Sequence, residues 1–106
     1  MKLLPTLKPK KRYIAFEIIS DKQFTADLVE LAVMQAIKEF IGQLGVAKAA
    51  PLFVAEQFKE NRFVLKVNHK FTNETRAALM LLKEINNSKV IIKSIVTSGI
   101  LKKVSE

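Results

Sequence analysis

Apolar and polar positions alternate most cleanly at two places. From Arg12 to Ser20, Ile14, Phe16 and Ile18 fall on one side and Tyr13, Ala15, Glu17 and Ile19 on the other. A strand with one buried face needs that period of two. Arg62 to Asn68 repeats it, with Phe63, Leu65 and Val67 against Arg62, Val64, Lys66 and Asn68. Between these strands the spacing lengthens to that of a helix. Thr25 is the expected cap, and Val29, Val33, Ala36, Ile37, Phe40 and Leu44 form a stripe at about 100° per residue. This helix is expected to reach Gln43 and end at Gly45, with Leu31, Met34 and Ile41 off the stripe.

A further strand is expected over Ala47 to Phe58, interrupted by Pro51. Proline gives the ladder no donor, so an edge position or a bulge is favoured there. Lys59-Glu60-Asn61 reads as the turn that joins it to Arg62–Asn68 in a hairpin. His69 to Phe71 reads as a loop, and Thr72 or Asn73 opens a second helix. That helix has Ala78, Leu81, Leu82 and Ile85 on one side and Arg76, Met80 and Lys83 on the other, and it ends at Asn86-Asn87-Ser88. The last strand, Lys89 to Thr97, puts Ile91, Lys93, Ile95 and Thr97 on one face and Val90, Ile92, Ser94 and Val96 on the other. The order strand, helix, strand, strand, helix, strand predicts an α+β class. Its architecture is a ferredoxin-like (RRM-like) βαββαβ sandwich, a four-stranded antiparallel sheet with two helices on one face.

At 106 residues the chain supports one core, assigned to residues 12–106. Residues 1–11 hold Lys2, Lys8, Lys10 and Lys11 with Pro5 and Pro9 and no acid, and read as a basic flexible arm. Eighteen Lys and Arg against ten acids leave a formal charge of +8, which points to a polyanionic partner, nucleic acid first. With no cysteine, disulfides, thiolate metal sites and cysteine nucleophiles are excluded. The longest apolar runs, such as Leu31 to Met34, fall far short of the roughly 20 residues that span a bilayer. No signal-type segment opens the chain, so a cytoplasmic location is expected.

Catalytic constellations are scarce. His69 is the sole histidine and has no carboxylate pair near it in the sequence, so it reads as a surface loop residue. The glycines at 42, 45 and 99 make no phosphate-cradling loop. Glu56 and Glu60 flank a turn and read as solvated. The face of the sheet away from the helices should show Tyr13, Glu17, Arg62, Val64, Lys66, Ile91, Lys93 and Ile95. RNA-recognition domains of this fold stack bases on exposed aromatics. Here Tyr13 is the one candidate, so contact through phosphates is favoured over base stacking.

Four segments together resemble a known family: Lys11-Arg12-Tyr13-Ile14-Ala15-Phe16-Glu17, Gly42 to Ala47, Arg76-Ala77-Ala78-Leu79, and Val90-Ile91-Ile92-Lys93 running into Ser98-Gly99. They look like protein component 2 of archaeal ribonuclease P, in the right order over nearly the whole chain, with Ile100 where that family often has threonine. The resemblance implies a non-catalytic protein subunit that assists a catalytic RNA in removing the 5′ leader of precursor tRNA. It further implies a barrel-like protein partner, a possible homodimer within a heterotetramer, and magnesium held by the RNA rather than by this chain. On that basis Lys8, Lys10, Lys11, Arg12, Lys93, Lys102 and Lys103 are the expected RNA contacts. Leu31, Met34, Val64, Ile91 and Ile95 are the expected protein contacts. Two other readings suit the same fold, a small-molecule-sensing regulatory domain and a ribosome-associated RNA-binding protein. The first has no use for so large a positive charge.

Overall fold

The computed structural model describes residues 10–99. Strand β1 (Lys11–Ile19) is followed by helix α1 (Ala26–Ala49), the short strand β2 (Leu52–Phe53) and strand β3 (Arg62–Asn68). Helix α2 (Thr72–Met80), a two-residue pair β4 (Glu84–Ile85) and β5 (Ser88–Lys89), and strand β6 (Ile91–Ser98) complete the order. The main sheet runs β2-β3-β1-β6 with every neighbouring pair antiparallel, the ferredoxin-like order expected from the sequence. Both helices cover one face. Between them and the sheet lie Ile14, Phe16, Ile18, Val29, Val33, Ile37, Phe63, Leu65, Val67, Leu79 and Ile85. The Phe63 ring stacks on Phe16 at 5.2 Å and on Phe53 at 5.7 Å, which fixes the centre of this layer.

Helix α1 starts where its cap predicts, with the Leu28 amide donating to Thr25 Oγ1 at 3.3 Å and Asp27 in the first turn. It does not stop at Gly45. Gly42 takes φ 76° and ψ 173°, a break that glycine tolerates, and the helix resumes and continues to Ala49. There Ala50, at φ 47°, ends it by donating its amide to the Val46 carbonyl at 2.8 Å. A Cβ on Gly45 would stand 2.8 Å from that of Ile41, so the missing side chain lets the second segment fold close to the first. The break resets the helical phase. Leu44, counted with the core stripe, is 70% exposed, and Phe40 just before the break is also exposed, while Ile41, Met34 and Val46 pack on the core.

The strand expected over Ala47 to Phe58 is reduced to Leu52–Phe53. Residues 47–49 belong to α1, Pro51 has no donor, and Ala55–Gln57 coil into one 3₁₀ turn. What remains pairs with β3 at the sheet edge. The turn into β3 is tight, with Glu60 and Asn61 both at positive φ, as a two-residue type I′ hairpin loop requires.

Helix α2 is shorter than its apolar spacing predicts and begins without a side-chain cap, Thr72 being its first residue. Asn86 and Asn87 both adopt positive φ, and the hairpin they close draws Glu84 and Ile85 out of the helix into β4. Ile85 reaches the core from a strand instead, and the Val90 amide donates to the Lys83 carbonyl at 2.9 Å. In β6 a bulge shifts the register opposite Ala15 and Phe16 and leaves Ile95 as the extra residue. Thr97 therefore joins Ile92 and Ser94 on the helix side, whereas Val96 joins Ile91 and Lys93 on the open side, the reverse of strict alternation. Arg76 of α2 accordingly donates to Thr97 Oγ1.

Candidate nucleic-acid interface

Strand register begins the gathering of cations at one end of the sandwich. Lys11 lies opposite Asn68, and Tyr13 lies opposite Lys66 on one side and Ser98 on the other. Because α1 continues past Gly45, its last turn brings Lys48 to the same end, where Asn68 Nδ2 donates to the Lys48 carbonyl at 3.4 Å. Lys10 arrives through its carbonyl, which accepts from the His69 amide at 2.8 Å. Lys70 follows one residue later. The Arg12 guanidinium donates to the Lys11 carbonyl at 3.2 Å and lies 3.1 Å from where a Cβ of Gly99 would stand, so the residue just past β6 sits beside it.

Lys10, Lys11, Arg12, Lys48, Lys66 and Lys70 thus share one end, with His69 among them. None of them forms an ion pair among the described residues. The ion pair that is present, Arg62 Nε to Glu17 Oε2 at 3.4 Å, lies near the opposite end. Cations left unpaired by their own fold present their full charge to a polyanion, subject to salt screening.

Of the expected RNA contacts, the structure brings Lys10, Lys11 and Arg12 together. Lys93 stands opposite Glu17, six residues along β1 from Lys11 and so about 20 Å away at strand rise. Lys8, Lys102 and Lys103 lie outside the described residues. Lys48, Lys66, His69 and Lys70 were not among the expected contacts. Alternation in β3 already put Lys66 beside Tyr13 on the open face, but Lys48 depended on where α1 ends and Lys70 on how β3 meets α2.

The expected protein contacts are not gathered. Ile91 and Ile95 are exposed on β6, at 60% and 48%, and Leu31 is exposed on α1, across the sheet from them. Met34 packs on the core, and Val64 is only 4% exposed, covered with Ala15 by Tyr13 and Val54. Those two positions offer little surface to a partner. The open face is thus partly closed by its own chain. Its one aromatic is engaged as well, with Lys66 Nζ 5.7 Å from the centroid of the Tyr13 ring. Phosphate contact is the chemistry this surface retains. Among the described residues no three His, Asp or Glu side chains come together as a metal site would require, and no helix is long and apolar enough to cross a membrane.

The Rpp14/Pop5 family model matches residues 12–106. The chain is 41% identical to ribonuclease P protein component 2 of Thermococcus kodakarensis over 95% of its length and 84% of that protein. It is 38% identical to the protein of the same name from Pyrococcus abyssi, over 98% of this chain and 88% of the other. The methanogen Methanocaldococcus jannaschii has one that is 33% identical over 95% of this chain and 74% of its own. Among solved structures, a chain in the cryo-EM structure of yeast ribonuclease MRP superposes with a TM-score of 0.65 at 15% identity, covering 87% of this chain and 76% of that one. That last likeness bears on the fold.

Proposed function

The chain belongs to the Rpp14/Pop5 family, and from that premise we propose that it works as a non-catalytic protein subunit of ribonuclease P, assisting a catalytic RNA in removing the 5′ leader of precursor tRNA. The observation that carries this reading is the gathering of unpaired cations at one end of a fold whose described residues hold no catalytic constellation. Such a surface neutralises phosphates that a folded RNA must bring close together. The bond-breaking step and its magnesium ions belong to the RNA.

Lys10, Lys11 and Arg12 contact the RNA backbone, as do Lys8, Lys102 and Lys103. Lys93 makes a separate contact from the open face. Ile91, Ile95 and Leu31 are the surface offered to protein, the barrel-like subunit of the same particle being the partner, and the particle works in the cytoplasm. Precursor tRNA is met through the catalytic RNA.

Leader removal by the catalytic RNA, measured at limiting magnesium with the barrel-like subunit present, tests the proposal. Adding this chain should raise the rate or lower the magnesium needed. No gain over the mixture lacking it would reject the assignment.

A further inference from the structure

Three lysines from three separate parts of the chain have their backbones tied to one dipeptide. Asn68 Nδ2 donates to the Lys48 carbonyl at 3.4 Å, while Asn68 Oδ1 accepts from the Lys70 amide at 3.0 Å. The Lys10 carbonyl accepts twice from His69, from its amide at 2.8 Å and from ring Nδ1 at 3.2 Å. A carbonyl only accepts, so Nδ1 is the donor in this bond. All of these bonds go to backbone, which leaves the three ammonium groups without a partner among the described residues. Like charges carried at one end of a fold repel one another, and a bound anion relieves that repulsion.

We propose that Asn68 and His69 are positioning residues that preset Lys10, Lys48 and Lys70 as a cradle for the phosphodiester backbone of helical RNA. This deepens the RNA-binding reading above and rests on it. Fixing the chain at the root of each lysine lowers the entropy lost when its side chain is ordered on a phosphate. Helical RNA is the form that fits, because its bases are stacked away and its phosphates follow a fixed path. The aromatic on the open face of the sheet, Tyr13, already lies under Lys66.

The probes are a plain RNA hairpin, a single-stranded oligouridine of equal length, and polyglutamate, each titrated against the full chain over a range of salt. Lys48→Gln and Lys70→Gln should each lower the log-log salt slope for the hairpin by about 0.7–0.9, with Lys48→Arg and Lys70→Arg retaining it. Lys38→Gln, on the outer side of α1, should change nothing. Asn68→Ala and His69→Ala remove no formal cation, so the slope should hold while hairpin affinity falls about two- to tenfold and oligouridine affinity does not. His69→Asn keeps a donor near the Nδ1 position and should restore hairpin binding. Thermal melting of each variant separates lost positioning from lost folding. The cradle is overturned if Asn68→Ala and His69→Ala bind the hairpin as the parent does, or if polyglutamate suffers the same losses. None of these probes requires leader removal, so failure of the cradle and failure of the ribonuclease P assignment read differently.

Discussion

Asn61, just before β3, and Asn68, its last residue, each use the side-chain amide to tie two backbone groups. Asn61 accepts from the Phe24 amide at 3.0 Å and donates to the Lys22 carbonyl at 2.8 Å, while its own carbonyl takes the Ile18 amide at 2.7 Å. It is buried, and what it ties is the passage from β1 into α1. Asn68 makes its two bonds at the surface, to the backbones of lysines. The same chemistry therefore serves cohesion at one end and presentation of charge at the other. Burial decides which, because an amide bond withdrawn from water is costly to lose and one in contact with water is readily replaced.

The largest test of that contrast is Asn61→Ala. It leaves the Phe24 amide without its partner and puts alanine at a positive φ, so unfolding in urea should show a loss of about 2–3 kcal/mol, with the salt slope for RNA unchanged in the folded protein. Gly42→Ala should cost about 1 kcal/mol, since a side chain is strained at φ 76° although nothing crowds it. Because the segment after Gly42 carries Lys48 to Asn68, this variant should also weaken hairpin RNA binding. Asn68→Ala should move thermal stability by no more than about 0.5–1 kcal/mol while reducing RNA affinity, the reverse of Asn61→Ala. A stability loss equal to that of Asn61→Ala would erase the distinction between the two ends. The smallest effect belongs to Glu17→Gln. Its 3.4 Å pair with Arg62 is largely exposed, so denaturant unfolding should shift by less than about 0.5 kcal/mol, and the shift should vanish in high salt.

The parts of the molecule legible from sequence are those in which local pattern and tertiary burial agree. Ile14, Phe16 and Ile18, and Phe63, Leu65 and Val67, alternate because one face of each strand is dry, and Val29, Val33 and Ile37 keep helical spacing for the same reason. The end of α2 was hidden. Ala77 to Ile85 suits a helix, and only the left-handed pair Asn86-Asn87 shows that a hairpin prevails there. The bulge at Ile95 was equally invisible, since a period of two carries no information about when the facing strand skips a residue. In the candidate site, Lys10, Lys11 and Arg12 are adjacent in the chain and could be read directly. Lys48 and Lys70 reach them only through the continuation of α1 past Gly45 and the close of β3, both of which are tertiary outcomes.

The skipped residue in β6 has a bearing on how this chain tolerates its own company. The outer rim of the sheet is a strand rich in bare aliphatic side chains, the sort of margin that in other proteins recruits neighbours into fibrils. Ile95 divides that margin into two runs too short to template a partner strand, and Lys93 sets a charge between Ile91 and Ile95. An edge strand with exposed isoleucine is in this way kept from pairing with copies of itself.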